Sequence, residues 1–183
     1  MILFIDTHDE LITIALKNND DIYEKEMQSE YKHSVYTMPM IEEIFKESNT
    51  DIKDLKKIIV VNGPGSFTGI RIGLSIAKTI AYALKIDINT ISSLTAYLIC
   101  NNNGMKRKAV IKDSKGYYVS AFDENDKPIM EEYYTKNDDL DLPCVPKKIL
   151  VSKIFKYCEN MPSENPHHVK ANYVKEIEVK YDK

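Results

Sequence analysis

The residues of this chain with the clearest potential for chemistry form a glycine-rich stretch at positions 62–73, Asn-Gly-Pro-Gly-Ser-Phe-Thr-Gly-Ile-Arg-Ile-Gly. Backbone N–H groups of such a turn, at the start of a helix, can bind a phosphate group. The spacing is not that of a P-loop, which needs a Lys followed by Ser or Thr. Gly63, Gly65 and Gly69 give GxGxxxG rather than the dinucleotide-binding GxGxxG. Pro64 also lacks an N–H donor. The stretch therefore favours a structural turn over a phosphate site.

Two other side chains offer weaker chemistry. His33 is a candidate metal ligand, but the residue four positions later, which would share its helix face, is Thr37 rather than a second ligand. A lone histidine is more often structural than a metal ligand, so we expect no metal site. Ser66 has no Asp/His pair in the sequence that would make it a nucleophile.

The composition restricts the class of protein. The 183 residues are 43% hydrophobic and 29% charged, which is typical of a globular protein, and no apolar run reaches the ~20 residues that cross a bilayer. The net charge of -3 argues against strong nucleic-acid binding by the chain alone. The three cysteines are far apart and odd in number, which fits neither a disulfide framework nor a CxxC site. The N-terminus lacks a signal-peptide pattern, so we expect a cytoplasmic location.

The elements that must position these residues follow from hydrophobic periodicity and turn residues. In the first half, turn formers at 7–9 and 18–20 separate three strand-like runs, after which helix-like and strand-like segments alternate. Pro39 should kink the first helix or mark its effective start. The predicted elements are strands at 2–6, about 11–17, about 21–27, 58–61 and 86–90, and helices at roughly 33–48, 67–85 and 92–101.

The second half follows a turn at 101–104 and resembles a shortened copy of the first half. A three-strand meander followed by alternating helices and strands, used twice, is the layout of the actin/sugar-kinase/Hsp70-like (ribonuclease H-like) superfamily. We therefore predict an α/β protein with two lobes, an N-terminal lobe at 1–103 and a shortened C-terminal lobe at 104–183. The elements predicted after the turn are strands at 109–113, 117–122, about 129–134 and 148–151, a short helix at 152–157 and an extended piece at 169–179.

The helix after the glycine turn carries a stripe of small residues. Gly69, Gly73, Ala77 and Ala81 are spaced four apart, so they share one helix face that another backbone can approach closely. The polar positions form only a narrow arc, so this helix can meet its own sheet on one side and another helix on the other. That second helix belongs either to the same lobe or to a partner protein, because exposed apolar surface typically marks an interface.

Several short segments resemble the TsaB (YeaZ) family. The stretch at 62–73 is similar to the family signature, and residues 2–7 (Ile-Leu-Phe-Ile-Asp-Thr) and 32–34 (Lys-His-Ser) also fit. Asp-Ser-Lys at 113–115 stands where the family tends to have Asp-Ala-Arg, and Ala-Asn-Tyr-Val-Lys at 171–175 resembles a terminal Pro-x-Tyr-Leu-Arg. The match is specific over the first hundred residues and weaker afterwards, where this chain is shorter than is usual in the family.

The resemblance implies a non-catalytic paralogue of TsaD, the subunit that transfers threonylcarbamoyl to the adenosine beside the anticodon of tRNA. The chain would bind a TsaD-like subunit, in a complex that includes the ATPase TsaE, or pair with itself when that subunit is absent. It would need no cofactor and would meet tRNA only through the complex. Gly73→Leu or Met38→Glu is then expected to abolish pairing while the lobe stays folded. In this family the first two helices form the association surface, which implies the partner-binding residues His33, Ser34, Met38, Ile41, Phe45, Phe67, Thr68, Gly69, Arg71, Ile72, Gly73, Ile76 and Ala77.

An enzyme is the alternative interpretation. Asp6 and Asp113 end corresponding strands of the two halves, where kinase-like relatives bring a carboxylate to metal-bound nucleotide. Those relatives follow the carboxylate with glycine, whereas Thr7 and His8 follow Asp6 here. The two carboxylates are therefore weak cofactor-binding candidates, and a small ATPase or kinase that uses both stays open. A candidate contact to tRNA phosphates is the basic cluster at 106–108 with Lys147, Lys148 and Lys153.

Overall fold

The computed structural model describes residues 1–30 and 32–174. Two sheets are present in this part of the chain, a five-stranded mixed sheet with strand order β3-β2-β1-β4-β5 and a three-stranded antiparallel sheet with order β6-β7-β8. The elements are β1 (Ile2–Asp6), β2 (Leu11–Asn18), β3 (Asp21–Gln28), α1 (His33–Glu47), a short 3-10 turn (Ile52–Asp54), β4 (Lys57–Val61), α2 (Phe67–Leu84), β5 (Asp87–Ile91), α3 (Ser93–Cys100), β6 (Arg107–Lys112), β7 (Tyr117–Phe122), β8 (Tyr133–Thr135) and α4 (Val151–Cys158).

Strand β1 is at the centre of the first sheet and is buried on both faces. It pairs antiparallel with β2 and parallel with β4. Because side chains alternate between the faces of a strand, Leu3 and Ile5 enter one core, which α1 and α2 cover, while Phe4 enters the other. This continuous burial explains why β1 is an unbroken apolar run in the sequence.

The second face of the first sheet is covered by α3 and α4. Phe155 of α4 packs edge-on against Phe4, with ring centroids 6.5 Å apart, and Ile154 and Cys158 enter the same core. Helix α4 lies after the second sheet in the chain and nevertheless packs on the first sheet. The lobe boundary at residue 103 stays a prediction.

Most of the predicted elements are confirmed within one or two residues, one predicted strand is wrong, and one of the two roles expected for Pro39 is excluded. Pro39 lies inside α1, which begins at His33, so it does not mark the start of this helix. Residues 148–150 are not a strand, and Val151 already begins α4. After the turn at 101–104, the described residues form three strands and then one helix, the same order as the first four elements of the chain, and no further strand follows β8 among them. Of the extended piece predicted at 169–179, residues 175–179 lie outside the described residues.

The small-residue stripe of α2 packs against the end of β1 and the turn that follows. A Cβ atom on Gly69 would overlap the Thr7 carbonyl oxygen, and one on Gly73 would overlap Thr7 Oγ1. Thr7 Oγ1 donates a 2.8 Å hydrogen bond to the carbonyl of Gly69, which fixes this approach. Ala77 and Ala81 continue the contact into the core. The stripe thus packs within the same lobe, and its glycines cannot gain further burial from a partner.

Gly73→Leu is accordingly expected to destabilise the fold, in contrast to the sequence-based expectation of a folded, unpaired lobe. Overpacking costs about 1–3 kcal/mol, and the gain in helix propensity of roughly 1 kcal/mol does not offset an overlap with the hydrogen-bonded Thr7. We expect the free energy of unfolding, measured by urea denaturation, to fall by about 2 kcal/mol or more.

The matched control is Ala83→Leu, which introduces the same side chain at an exposed position of the same helix. It should change stability by no more than about 0.5 kcal/mol. Equal stability of the two variants would contradict the packing described for Gly73.

Candidate functional site

A buried polar cluster lies where β1 ends. Asp6 Oδ1 accepts hydrogen bonds from the backbone N–H of His8 at 3.0 Å and lies 2.6 Å from His8 Nδ1. On the other side of the ring, His8 Nε2 lies 2.7 Å from the hydroxyl of Tyr97, which donates to Asp9 Oδ2 at 3.5 Å. Asp6, His8 and Tyr97 are each at most 3% exposed. In this arrangement a protonated His8 can donate hydrogen bonds from both ring nitrogens, one to Asp6 and one to the hydroxyl of Tyr97. The hydroxyl of Tyr97 in turn donates to Asp9.

The electrostatics of the cluster favour the charged imidazole. Burial lowers the pKa of His8, and the positive charge of Lys147 acts in the same direction. The negative charge of Asp6 and its hydrogen bond to His8, with a contribution from Asp9, raise the pKa and outweigh both effects. The net result is a raised pKa. Burial, together with Asp9 and Asp6, raises the pKa of Tyr97, which keeps its hydroxyl protonated as a donor. Asp6 is thus paired internally. A metal-bound nucleotide at Asp6 Oδ1 would have to displace His8.

Asp113, the other weak cofactor-binding candidate, lies in the turn between β6 and β7. Its Oδ1 accepts from Ser114 Oγ at 2.8 Å and from the Lys115 backbone N–H at 3.1 Å, and its own N–H donates to the carbonyl of Gly116. Asp6 and Asp113 both cap turns through their side chains, as an Asp at such positions commonly does.

The glycine turn packs against its own chain. Ser66 caps α2 by accepting from the Gly69 N–H at 3.2 Å, and the Ser66 N–H donates to the carbonyl of His8 at 2.6 Å. A Cβ atom on Gly65 would overlap that same carbonyl. The space beside the helix N-terminus, which a phosphate would need, is filled by the β1–β2 turn. The structural interpretation of the glycine turn is confirmed.

His33 also has a structural role. It is buried, its Nε2 lies 2.6 Å from the carbonyl oxygen of Asp9, and its own carbonyl accepts from Thr37 Oγ1 at 2.7 Å. Its imidazole therefore ties the start of α1 to the β1–β2 turn. In the part of the chain that the structure describes, no group of three or more His, Cys, Asp or Glu is placed to hold a metal ion.

The outer sides of α1 and α2 form a shallow groove of about 510 Å³, which we call the helix groove. Phe67 is 58% exposed and Met38 37% exposed, although both are large apolar side chains. Arg71 is the only charged residue in the lining. The groove is lined by Ser34, Met38, Phe67, Thr68, Arg71, Ile72, Ser75 and Ile76.

The thirteen residues expected to bind a partner divide by burial. Seven of them line the helix groove, namely Ser34, Met38, Phe67, Thr68, Arg71, Ile72 and Ile76. The other six are mostly buried within the chain and do not line the helix groove, namely His33, Ile41, Phe45, Gly69, Gly73 and Ala77. The physical reason is that α1 and α2 turn these residues towards the first sheet and the β1–β2 turn.

Two basic residues of the candidate tRNA contact are also internal. Arg107 is 1% exposed and donates to the carbonyl oxygens of Leu98, Met105 and Asp123 and to Asp126. Lys108 donates to Asp138 and to the carbonyl of Leu140. Lys106, Lys147, Lys148 and Lys153 are exposed, and Lys153 Nζ also donates to the carbonyl of Cys100 at 2.8 Å.

Tyr173 is a surface residue beside the helix groove. The hydrophobic periodicity of the sequence does not predict its position there. Its hydroxyl accepts from Arg71 Nε at 3.1 Å and Nη2 at 3.0 Å, and its ring centroid lies 6.3 Å from that of Phe67. The 102 positions that separate Arg71 from Tyr173 carry no local pattern. Only the resemblance at 171–175 pointed to this segment.

Comparison with known proteins gives a consistent set of relatives. A family model described as TsaD, tRNA N6-adenosine threonylcarbamoyltransferase, matches residues 26–150. The chain is 29% identical over 95% of its length to the tRNA threonylcarbamoyladenosine biosynthesis protein TsaB of Buchnera aphidicola (Acyrthosiphon pisum), of which the match covers 82%. It is 42% identical over 51% of its length to the Bacillus subtilis TsaB and 33% identical over 51% to that of Escherichia coli. These two matches span only 41% and 40% of the relatives.

Two solved structures share the fold. One is described as an uncharacterized protein from Pseudomonas aeruginosa with similarity to the peptidase YeaZ. It superposes with a TM-score of 0.82 at 15% identity and covers 95% of this chain and 99% of its own. YeaZ from Pseudomonas aeruginosa superposes with a TM-score of 0.69 at 20% identity, and the match covers 78% of this chain and 72% of the YeaZ chain. These matches confirm the predicted α/β fold class. No helix among the described residues is long and apolar enough to span a membrane.

The strand-end cluster predicts a specific pH dependence of stability. Because the pKa of His8 is raised on folding, its stabilising contribution is complete below the unfolded value of about 6.5 and is lost as pH rises through the raised pKa. The difference in unfolding free energy between the wild type and His8→Gln should therefore shrink from pH 6 to pH 9 in urea denaturation. His168→Gln, at an exposed histidine, is the control and should show no such trend. A difference that grows with pH would contradict the charged His8–Asp6 pair.

Proposed function

The chain belongs to the TsaB (YeaZ) family, and from this premise we propose that it takes part in the biosynthesis of threonylcarbamoyladenosine in tRNA as a non-catalytic partner subunit. In this proposal the helix groove binds a TsaD-like transferase that modifies the adenosine beside the anticodon. The observation that carries the proposal is the groove itself, where Met38 and Phe67 stay exposed on helices whose inner faces pack into the core. An exposed apolar surface of this kind typically marks a protein interface.

The choice of a TsaD-like partner is supported by the extent of the family match. The transferase model matches residues 26–150, which include both α1 and α2. A transferase of this family therefore has segments related to both helices, so that two similar helix pairs can pack face to face. The same reasoning allows the chain to pair with itself when the transferase is absent, because a two-fold interface brings the same patch of both copies together.

A supporting rather than catalytic role fits the chemistry at the strand ends. Asp6 is paired with a buried imidazole and Asp113 caps a turn, so neither carboxylate is arranged to bind a metal-bound nucleotide. The ATPase or kinase alternative would require Asp6 to exchange His8 for such a nucleotide. No observation at either carboxylate favours that exchange.

The remaining parts of the proposal concern the larger complex. The net charge of -3 argues against strong tRNA binding by the chain alone, and Arg107 and Lys108 of the basic cluster are bonded internally. In this proposal tRNA is therefore bound through the complex. A TsaE-like ATPase joins the transferase and this chain, and the assembly works in the cytoplasm, where tRNA is modified. No cofactor is assigned to this chain.

Met38→Glu tests the proposal. It places a carboxylate in the apolar part of the helix groove, where burial against a partner would leave the charge unpaired. Light scattering coupled to size exclusion should show a heterocomplex of the wild type with the TsaD-like protein of the same organism, and its loss in the variant. Thermal unfolding should be unchanged, since Met38 is already 37% exposed.

Met105→Glu is the matched control, because Met105 is 54% exposed and lies in the turn before β6, outside the groove lining. It should pair like the wild type. A heterocomplex that persists in Met38→Glu would show that the surface is wrong, and a wild type that ignores the transferase would refute the proposed function.

A further inference from the structure

The last described segment of the chain, residues 169–174, crosses the outside of α2, and we call it the C-terminal strap. Val169 is buried in the core, and its carbonyl accepts from Lys78 Nζ at 2.9 Å. Asn172 donates its N–H to the carbonyl of Asn62 at 2.8 Å and its side-chain amide to Glu132 Oε2, also at 2.8 Å. The strap is thus held by α2, by the strand end before the glycine turn and by the loop before β8.

Glu132 is the anchor that the second half of the chain contributes. Its other carboxylate oxygen accepts from Ser92 Oγ, at the N-cap of α3, and from Thr95 Oγ1. Burial raises the pKa of Glu132, against the lowering effect of its hydrogen bonds to Ser92, Asn172 and Thr95. A carboxylate with this many partners fixes the position of Asn172, and therefore of the residue that follows it.

That next residue is Tyr173, which is 53% exposed although its hydroxyl and its ring both contact residues of α2. Its hydroxyl accepts two hydrogen bonds from Arg71, whose Cζ lies 3.6 Å from the centroid of the Phe67 ring. The guanidinium thus lies over one aromatic ring and hydrogen-bonds the other. Phe67, Arg71 and Tyr173 form one continuous surface cluster, which we call the aromatic cluster.

The aromatic cluster has the chemistry of an interface centre. Tyr and Arg are enriched among the residues that carry most of the binding energy, and large rigid rings lose little conformational entropy on binding. Phe67 and Arg71 also line the helix groove, so Tyr173 extends that groove at the N-terminal end of α2. Within the described residues Arg71 hydrogen-bonds only Tyr173, so its remaining N–H groups can donate to an acceptor on a partner.

We infer that Tyr173 is part of the partner-binding surface, so that the surface consists of α1, α2 and the C-terminal strap rather than of the two helices alone. The inference rests on the proposed function and takes the TsaD-like transferase as the occupant. The part of the transferase that meets the cluster is an apolar surface with a carbonyl or carboxylate oxygen opposite Arg71. Asn172 and Glu132 act as positioning residues, because they hold the strap that carries Tyr173.

The test compares Tyr173→Ala with Tyr82→Ala in binding to the transferase. Tyr82 is a matched control on α2, away from the strap and the groove lining: it is 67% exposed, and among the described aromatic residues its ring contacts only that of His167. We expect isothermal titration calorimetry to show a dissociation constant at least about tenfold higher for Tyr173→Ala and unchanged for Tyr82→Ala. Phe67→Ala should have a similar effect. The double variant should lose less binding free energy than the sum of the losses in the two single variants, because the two rings act as one cluster.

A second readout separates direct contact from a structural effect of the strap. A photoreactive benzoylphenylalanine at position 173 should cross-link to the transferase, whereas the same residue at position 82 should not. One outcome would refute this inference but leave the proposed function intact. In that outcome Met38→Glu abolishes binding, Tyr173→Ala binds like the wild type, and position 173 gives no cross-link. The partner would then bind the helix groove without contacting the strap. Cross-links from position 173 to a second copy of the chain alone would overturn the choice of occupant. Absence of any binding by the wild type would overturn this inference and the proposed function together.

Discussion

The structure depends on the close approach of α2 to the turn after β1. Gly65 and Gly69 lie against the backbone carbonyls of His8 and Thr7, Gly73 lies against the Thr7 side chain, and the hydrogen bond from Thr7 to Gly69 closes the contact. Glycine in a helix interior costs roughly 1 kcal/mol relative to alanine, and the packing that it permits offsets this cost. Because the small side of α2 faces inward, its larger side chains face outward and form the helix groove.

The same approach determines what the strand end can do. The β1–β2 turn that packs under the glycines also carries His8, whose imidazole fills the space beside Asp6 and bonds it at 2.6 Å. The carboxyl end of β1 is therefore covered by the protein's own side chains, and the proposed binding surface lies instead on the outer helix faces. A helical wheel of α2 already indicates this division, since Arg71 and Ser75 fall opposite the small stripe.

The sequence predicts the local elements well, because strand and helix periods and turn residues act over a few positions. It identifies the small-residue stripe, but spacing shows only which residues share a face and not what lies opposite them, so Gly73 and Ala77 were expected at the partner surface. The run at 148–151 was too short to distinguish a strand from the start of a buried helix. Arg107 is buried because carbonyl oxygens from three separate segments converge on it, and such long-range contacts, like that of Tyr173, leave no local pattern.

The most direct measurement of the central claim, that the outer side of α1 and α2 is the docking surface, is hydroxyl-radical footprinting of the chain with and without the TsaD-like transferase. Methionine and aromatic side chains oxidise readily when exposed, and Met38, Phe67, Tyr82 and Met105 are all exposed in the free chain. The account predicts that oxidation of Met38 and Phe67 falls on addition of the transferase while that of Tyr82 and Met105 stays the same. Protection of Tyr82 or Met105 with undiminished oxidation of Met38 and Phe67 would contradict it.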